Sequence, residues 1–116
     1  MAKNLDITIL LDFYGDMLTP KQREFLDYYY NEDLSLSEIA ANVGITRQGV
    51  RDIIVRAEAT LLDYEERTGI VSRFQQRNAD IDRAEEIARS ISESAKDSDI
   101  ANMAEELTVI LESLKG

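Results

Sequence analysis

Cysteine and histidine are both absent from this 116-residue chain. Without cysteine there are no disulfides and no thiolate chemistry, and a reducing compartment fits. Without histidine a His-ligated metal, a Ser–His–Asp triad and the commonest general base are all excluded. Positive charge is scarce as well: 13 Lys and Arg stand against 23 Asp and Glu, a net charge of −10. A dedicated nucleic-acid binder usually shows a basic footprint, so this balance counts against that function. No run approaches the roughly 20 apolar residues of a membrane span. The opening MAKNLDITILLDFYGD carries acids within its apolar stretch and lacks a signal-peptide cleavage pattern. Phosphate-binding glycine loops and an Asp-rich calcium loop are missing too. The expected protein is cytoplasmic and non-enzymatic, with no cofactor and no metal.

What is present centres on Leu34 to Arg56, LSLSEIAANVGITRQGVRDIIVR. Ser35 and Glu38 have the spacing of a capping box, so a helix starts there. Ile39, Ala40 and Val43 supply its apolar side, and Gly44 suits the left-handed position that ends it. Thr46 caps a second helix, in which Val50, Ile53, Ile54, Ala57, Leu61 and Tyr64 form one stripe as far as Glu66 or Arg67. Thr68-Gly69 is its stop. Two helices joined by a glycine turn are the sequence form of a helix-turn-helix.

Earlier in the chain, Leu5, Ile9, Leu10, Phe13, Met17 and Leu18 predict an amphipathic helix over about residues 4–17, with Asp6, Asp12 and Asp16 outward. Thr19-Pro20-Lys21-Gln22 starts the next helix, by capping box and proline at the first position. Tyr28, Tyr29 and Tyr30 are consecutive, so they point in different directions and cannot form one stacking platform. Core packing with hydroxyls at the rim is expected instead.

After Gly69 the pattern changes. Val71, Phe74, Ile81, Ala84, Ala88, Ile91 and Ala95 approach a heptad seam, widened by Ile87. Lys96 to Asp99 make a polar turn, and Ile100, Met103, Ala104, Leu107, Ile110, Leu111 and Leu114 form a second stripe. This reads as a helical hairpin, packed within the chain or against another copy. The fold class is therefore all-α: residues 1–68 a four-helix helix-turn-helix module, residues 69–116 the hairpin. The acidic pairs Glu65-Glu66, Glu85-Glu86 and Glu105-Glu106 are read as solvated helix faces.

Between Thr46 and Ala57, Arg47, Arg51 and Arg56 oppose only Asp52, a weakly positive island on an acidic body. Thr46, Arg47, Gln48, Arg51 and Arg56 are the candidate nucleic-acid contacts, with Lys21 and Arg23 adding phosphate contacts. Arg and Gln are residue types that read guanine and adenine edges. Three to five phosphate contacts would be a modest term, so weak DNA binding is expected from one copy and useful affinity from a homodimer. The same module can serve as a scaffold for protein contacts, or bind structured RNA by shape.

Leu18-Thr19-Pro20-Lys21-Gln22-Arg23, Leu36-Ser37-Glu38-Ile39-Ala40 and Gly44-Ile45-Thr46-Arg47-Gln48-Gly49-Val50, followed by Arg56-Ala57 and Leu61, resemble region 4 of bacterial sigma factors, which reads promoter DNA. Over the first 66 residues, LDFYGDMLTPKQREFLDYYYNEDLSLSEIA, ITRQGVRDII and LLDYEE resemble the YlxM family of small bacterial proteins. That resemblance implies a regulatory or accessory role in the signal-recognition-particle pathway, with components of that particle as partners. It brings no catalytic residues.

Overall fold

The computed structural model describes residues 6–116 and divides into two compact units, Met1–Val71 and Ser72–Gly116. Among the described residues there are six α-helices and no strand. No helix among them is long and apolar enough to cross a membrane.

In the first unit α1 (Asp6–Tyr14), α2 (Pro20–Leu26) and α3 (Leu36–Val43) all pack against α4 (Arg47–Thr68). The local signals act as read. Thr19 Oγ1 accepts from the Gln22 amide and Gln22 Oε1 from the Thr19 amide, both at 3.2 Å. Ser35 and Glu38 make the same reciprocal pair at 3.0 and 3.1 Å. Gly44 (φ 80) and Gly69 (φ 62) take left-handed backbone at the ends of α3 and α4, a region costly for residues with a Cβ. The core is built from Ile7, Leu10, Leu11, Tyr14, Phe25, Leu26, Ile39, Val50, Ile54 and Leu61.

Two details of the first helices differ from expectation. The α-helix ends at Tyr14 and a 3₁₀ turn covers Gly15–Met17; the predicted start near residue 4, with Leu5, lies outside the described residues. Its buried stripe is Ile7, Leu10, Leu11, Tyr14, whereas Phe13 and Met17 are exposed. The stripe is rotated because Tyr14 buries its ring and extends its hydroxyl to Glu65 Oε1, 2.6 Å away. After Leu26 the helix widens into a π-helical turn, Asp27–Asn31. Tyr29 is buried there, while the flanking tyrosines end on carboxylates: Tyr28 on Glu24 at 2.6 Å and Tyr30 on Glu58 at 2.5 Å. This is core packing with rim hydroxyls.

The second unit holds most of α5 (Ile70–Ser94) and all of α6 (Ser98–Leu114). Asp97 caps α6 by accepting from the Asp99 amide at 2.8 Å. Ile81, Ala88 and Ala104 are buried, and so is Glu85, at 1% exposure. Glu85 is thus not on a solvated face, as its pairing with Glu86 had implied. Arg89 Nη2 donates to its Oε2 at 2.9 Å, and Lys115 Nζ lies 3.1 Å from its Oε1. Lys115 also meets Asp82 at 2.8 Å and Glu112 at 3.2 Å. Bonds to Asp82, Glu85 and Glu112 raise the Lys115 pKa, and its ammonium in turn lowers that of Glu112. A buried carboxylate persists because cations compensate its lost hydration. Glu65 is also only half-exposed; besides Tyr14 it accepts from the Val71 amide at 3.0 Å.

Candidate nucleic-acid interface

The helix-turn-helix is α3, the turn Gly44–Thr46 and the first half of α4. The turn is tight because the Gly44 and Ile45 amides both donate to the Ala40 carbonyl, at 2.9 and 3.3 Å. Thr46 then starts α4, its Oγ1 accepting from the Gly49 amide at 3.0 Å. Val50, Ile54 and Ala57 are fully buried, which locks the rotation of α4 and sends the intervening side chains outward.

Arg47, Gln48 and Arg51 are exposed on that outer side. Arg47 and Arg51 are four residues apart, about 40° round the helix, and so lie on one stripe. Gln48 is tied down, its Nε2 donating to Asp52 Oδ1 at 2.9 Å. Arg56 is exposed too, but it stands about 140° from Arg51 and belongs to another side of α4. Among the described residues none of these three arginines makes an ion pair. Elsewhere in this unit Arg23 bonds Asp16 and lies 3.8 Å from Asp27, and Arg67 holds Asp63 at 3.0 Å. Lys21, on the first turn of α2, is exposed and makes no ion pair among the described residues.

Arg23 therefore sits in different surroundings from the other candidates. It borders a groove of about 690 Å³ lined by Glu24, Asp27, Tyr28 and Glu32 as well. The bond from Tyr28 to Glu24, partial desolvation and the charges of Glu24 and Glu32 raise the Tyr28 pKa. A phosphate would be repelled there. Glu24 and Asp27 are its neighbours along the helix and Glu32 ends the π-helical turn that follows, whereas Asp16 reaches Arg23 from the turn before α2.

Gly49, inside the first turn of α4, is a poor interior helix former and has a local reason. A Cβ there would lie 3.1 Å from the Thr46 hydroxyl, so the residue makes room for the cap. Val43 and Ile45, 40% and 38% exposed, add apolar surface beside the turn. Sequence periodicity had placed Val43 on the buried side of α3; Leu36 fills that place instead.

Residues 1–105 match the family model described as UPF0122, "Putative helix-turn-helix protein, YlxM / p13 like". The chain belongs to the UPF0122 family. A UPF0122 protein of Acetivibrio thermocellus is 45% identical over 116 residues, covering 99% of this chain and 92% of that protein. UPF0122 protein Teth514_1714 of Thermoanaerobacter sp. strain X514 is 41% identical over 110 residues, 95% of this chain and 94% of its own. A UPF0122 protein of Desulforamulus reducens shares 53% identity over 70 residues, 60% of each chain. The match of the UPF0122 model extends beyond the helix-turn-helix into α6.

Proposed function

We propose that this protein binds DNA through the exposed first half of α4 and acts as a non-enzymatic regulatory or accessory factor. The observation that carries the reading is selective pairing. In the first unit Arg23 and Arg67 are neutralised by carboxylates, whereas Arg47, Arg51 and Arg56 are left for an external anion. Thr46 caps the helix and presents its hydroxyl to phosphate; Arg47 and Arg51 face bases or phosphates. Gln48 reads an edge once released from Asp52, and Arg56 and Lys21 anchor the backbone. Resemblance to YlxM proteins directs this role toward the signal-recognition-particle pathway, with its RNA or proteins as partners. A homodimer supplies two such faces.

Four free cations predict a salt slope of about −3.6 per copy, and Arg47→Ala with Arg51→Ala should reduce it to about −1.8. The test measures binding of the full chain to its own upstream DNA, and to signal-recognition-particle RNA, across a salt series. Preference for the RNA would replace DNA as the target. No binding to either at low salt would leave the protein-adaptor reading, with the helix-turn-helix as scaffold. Slopes unchanged in the double variant would mean that the contact lies elsewhere.

A further inference from the structure

Ile100, Met103, Leu107, Ile110 and Leu114 alternate at spacings of three and four along the whole of α6, and all are between 46% and 69% exposed. At 100° per residue they occupy about 80° of the helix surface. The side of α6 turned to α5 is weaker: Ala104 is its one buried residue, and the partner side of α5 offers Ile81, Glu85 and Ala88. The larger apolar set therefore faces away from the hairpin's own interior. Ile87 and Ile91 of α5, 47% and 43% exposed, border the same face, on the flank away from Arg89 and Glu93. The opposite face is mixed, with Arg89, Glu93, Glu105 and Val109 lining a shallow groove.

We propose that this face of the second unit is covered by the same face of a second copy, the two hairpins forming a four-helix arrangement. Three observations favour that occupant. A three-four repeat sustained over a whole helix is the pattern of a helix–helix seam. The surface spans two helices, so a self-complementary two-fold contact covers all of it. Its extent also fits: the exposed parts of these side chains amount to roughly 700 Å² per copy, well beyond a scatter of surface aliphatics, and roughly 1,400 Å² in a pair, within the size of stable interfaces. The pairing stands on the second unit alone. Its consequence rests on the nucleic-acid reading: two first units in one molecule double the free cations, which the modest face of one copy calls for.

Sedimentation of the full chain between about 1 and 100 µM tests the pairing. The wild type should be dimeric within that range. Leu107→Glu with Ile110→Glu should weaken the dimer at least ~100-fold, because each charge would be buried without a partner. Val109→Glu, on the opposite face and 70% exposed, should leave the dimer within about threefold of wild type. Circular dichroism checks that helicity is kept, and Met103→Glu, at 69% exposure, replaces the double variant if it is not. A wild type monomeric at the top concentration would overturn the proposal and leave the face to another protein. So would a dimer indifferent to these changes, or one broken equally by Val109→Glu. A dimer that binds no nucleic acid would sink the functional reading and leave this one standing.

Discussion

Removing one oxygen atom tests how the long helix of the first unit is held. Tyr14 is 3% exposed, and its hydroxyl lies 2.6 Å from both Glu65 Oε1 and Thr68 Oγ1. Tyr14→Phe keeps the ring, including its contact with Tyr64 at 5.9 Å between centroids, and deletes only the hydroxyl, which donates to Glu65 and has the Thr68 hydroxyl as its second partner. A hydrogen bond to a charged acceptor contributes about 1.5–3 kcal/mol. Glu65 keeps the Val71 amide and is half-exposed, so water can replace part of the loss. The lower end, about 1.5 kcal/mol, is expected, or roughly 6–12 °C in the melting temperature of a unit this size. Urea unfolding should show a lower midpoint with an unchanged slope, since the buried surface hardly changes. In a double-mutant cycle with Glu65→Gln the two effects should fall short of additive, because each substitution weakens the same bond. A loss below about 0.5 kcal/mol, or full additivity, would refute the view that this bond ties α1 to the end of α4.

Three further outcomes follow from the same geometry. Ser35→Ala removes one half of a capping box and should cost about 1 kcal/mol; a neutral result by urea titration would mean that α3 is held by packing alone. Gly44→Ala should cost about 1–2 kcal/mol from backbone strain alone, because nothing lies within 4 Å of the added Cβ, and Gly44→Asn should cost less. The Lys115 pKa is raised above 10.5, so its contribution is complete below that value and lost as pH climbs through the raised one. Glu112 is lowered below 4.5, so its contribution is complete above that value and lost as pH falls. Thermal melts should therefore show wild type losing its advantage over Lys115→Met toward both extremes of pH. An advantage constant from acid to alkali would reject the clasp.

The candidate interface was largely legible because its parts are local. Thr46, Arg47, Gln48 and Arg51 lie within six residues, and a cap followed by an apolar stripe is enough to place them on the outside of α4. Their pairing was less legible. The contact of Gln48 with Asp52 follows helical spacing, but Arg23 meets Asp16 across the turn between two helices, which periodicity does not describe. The separation of Arg56 from the Arg47–Arg51 stripe is a matter of angle, which proximity in sequence conceals.

By itself the sequence determined where α2, α3 and α4 begin and where α3 and α4 end. Thr19, Ser35 and Thr46 each satisfy an orphan amide three residues on, and Gly44 and Gly69 close helices in backbone that other residues avoid. These are short-range contacts, complete within one turn of chain. Membership of the all-α class follows from them and from the 3.6-residue period. Tertiary structure alone decided which side of a helix is inside when two sides were apolar enough. It buried Ile7 and Leu11 rather than Phe13 and Met17, and it turned the larger stripe of α6 outward. It also decided that Glu85 is buried while Glu86 is solvated, because its compensating Lys115 comes from 30 residues away. Burial depends on what the rest of the chain brings to a surface, and no local rule contains that information.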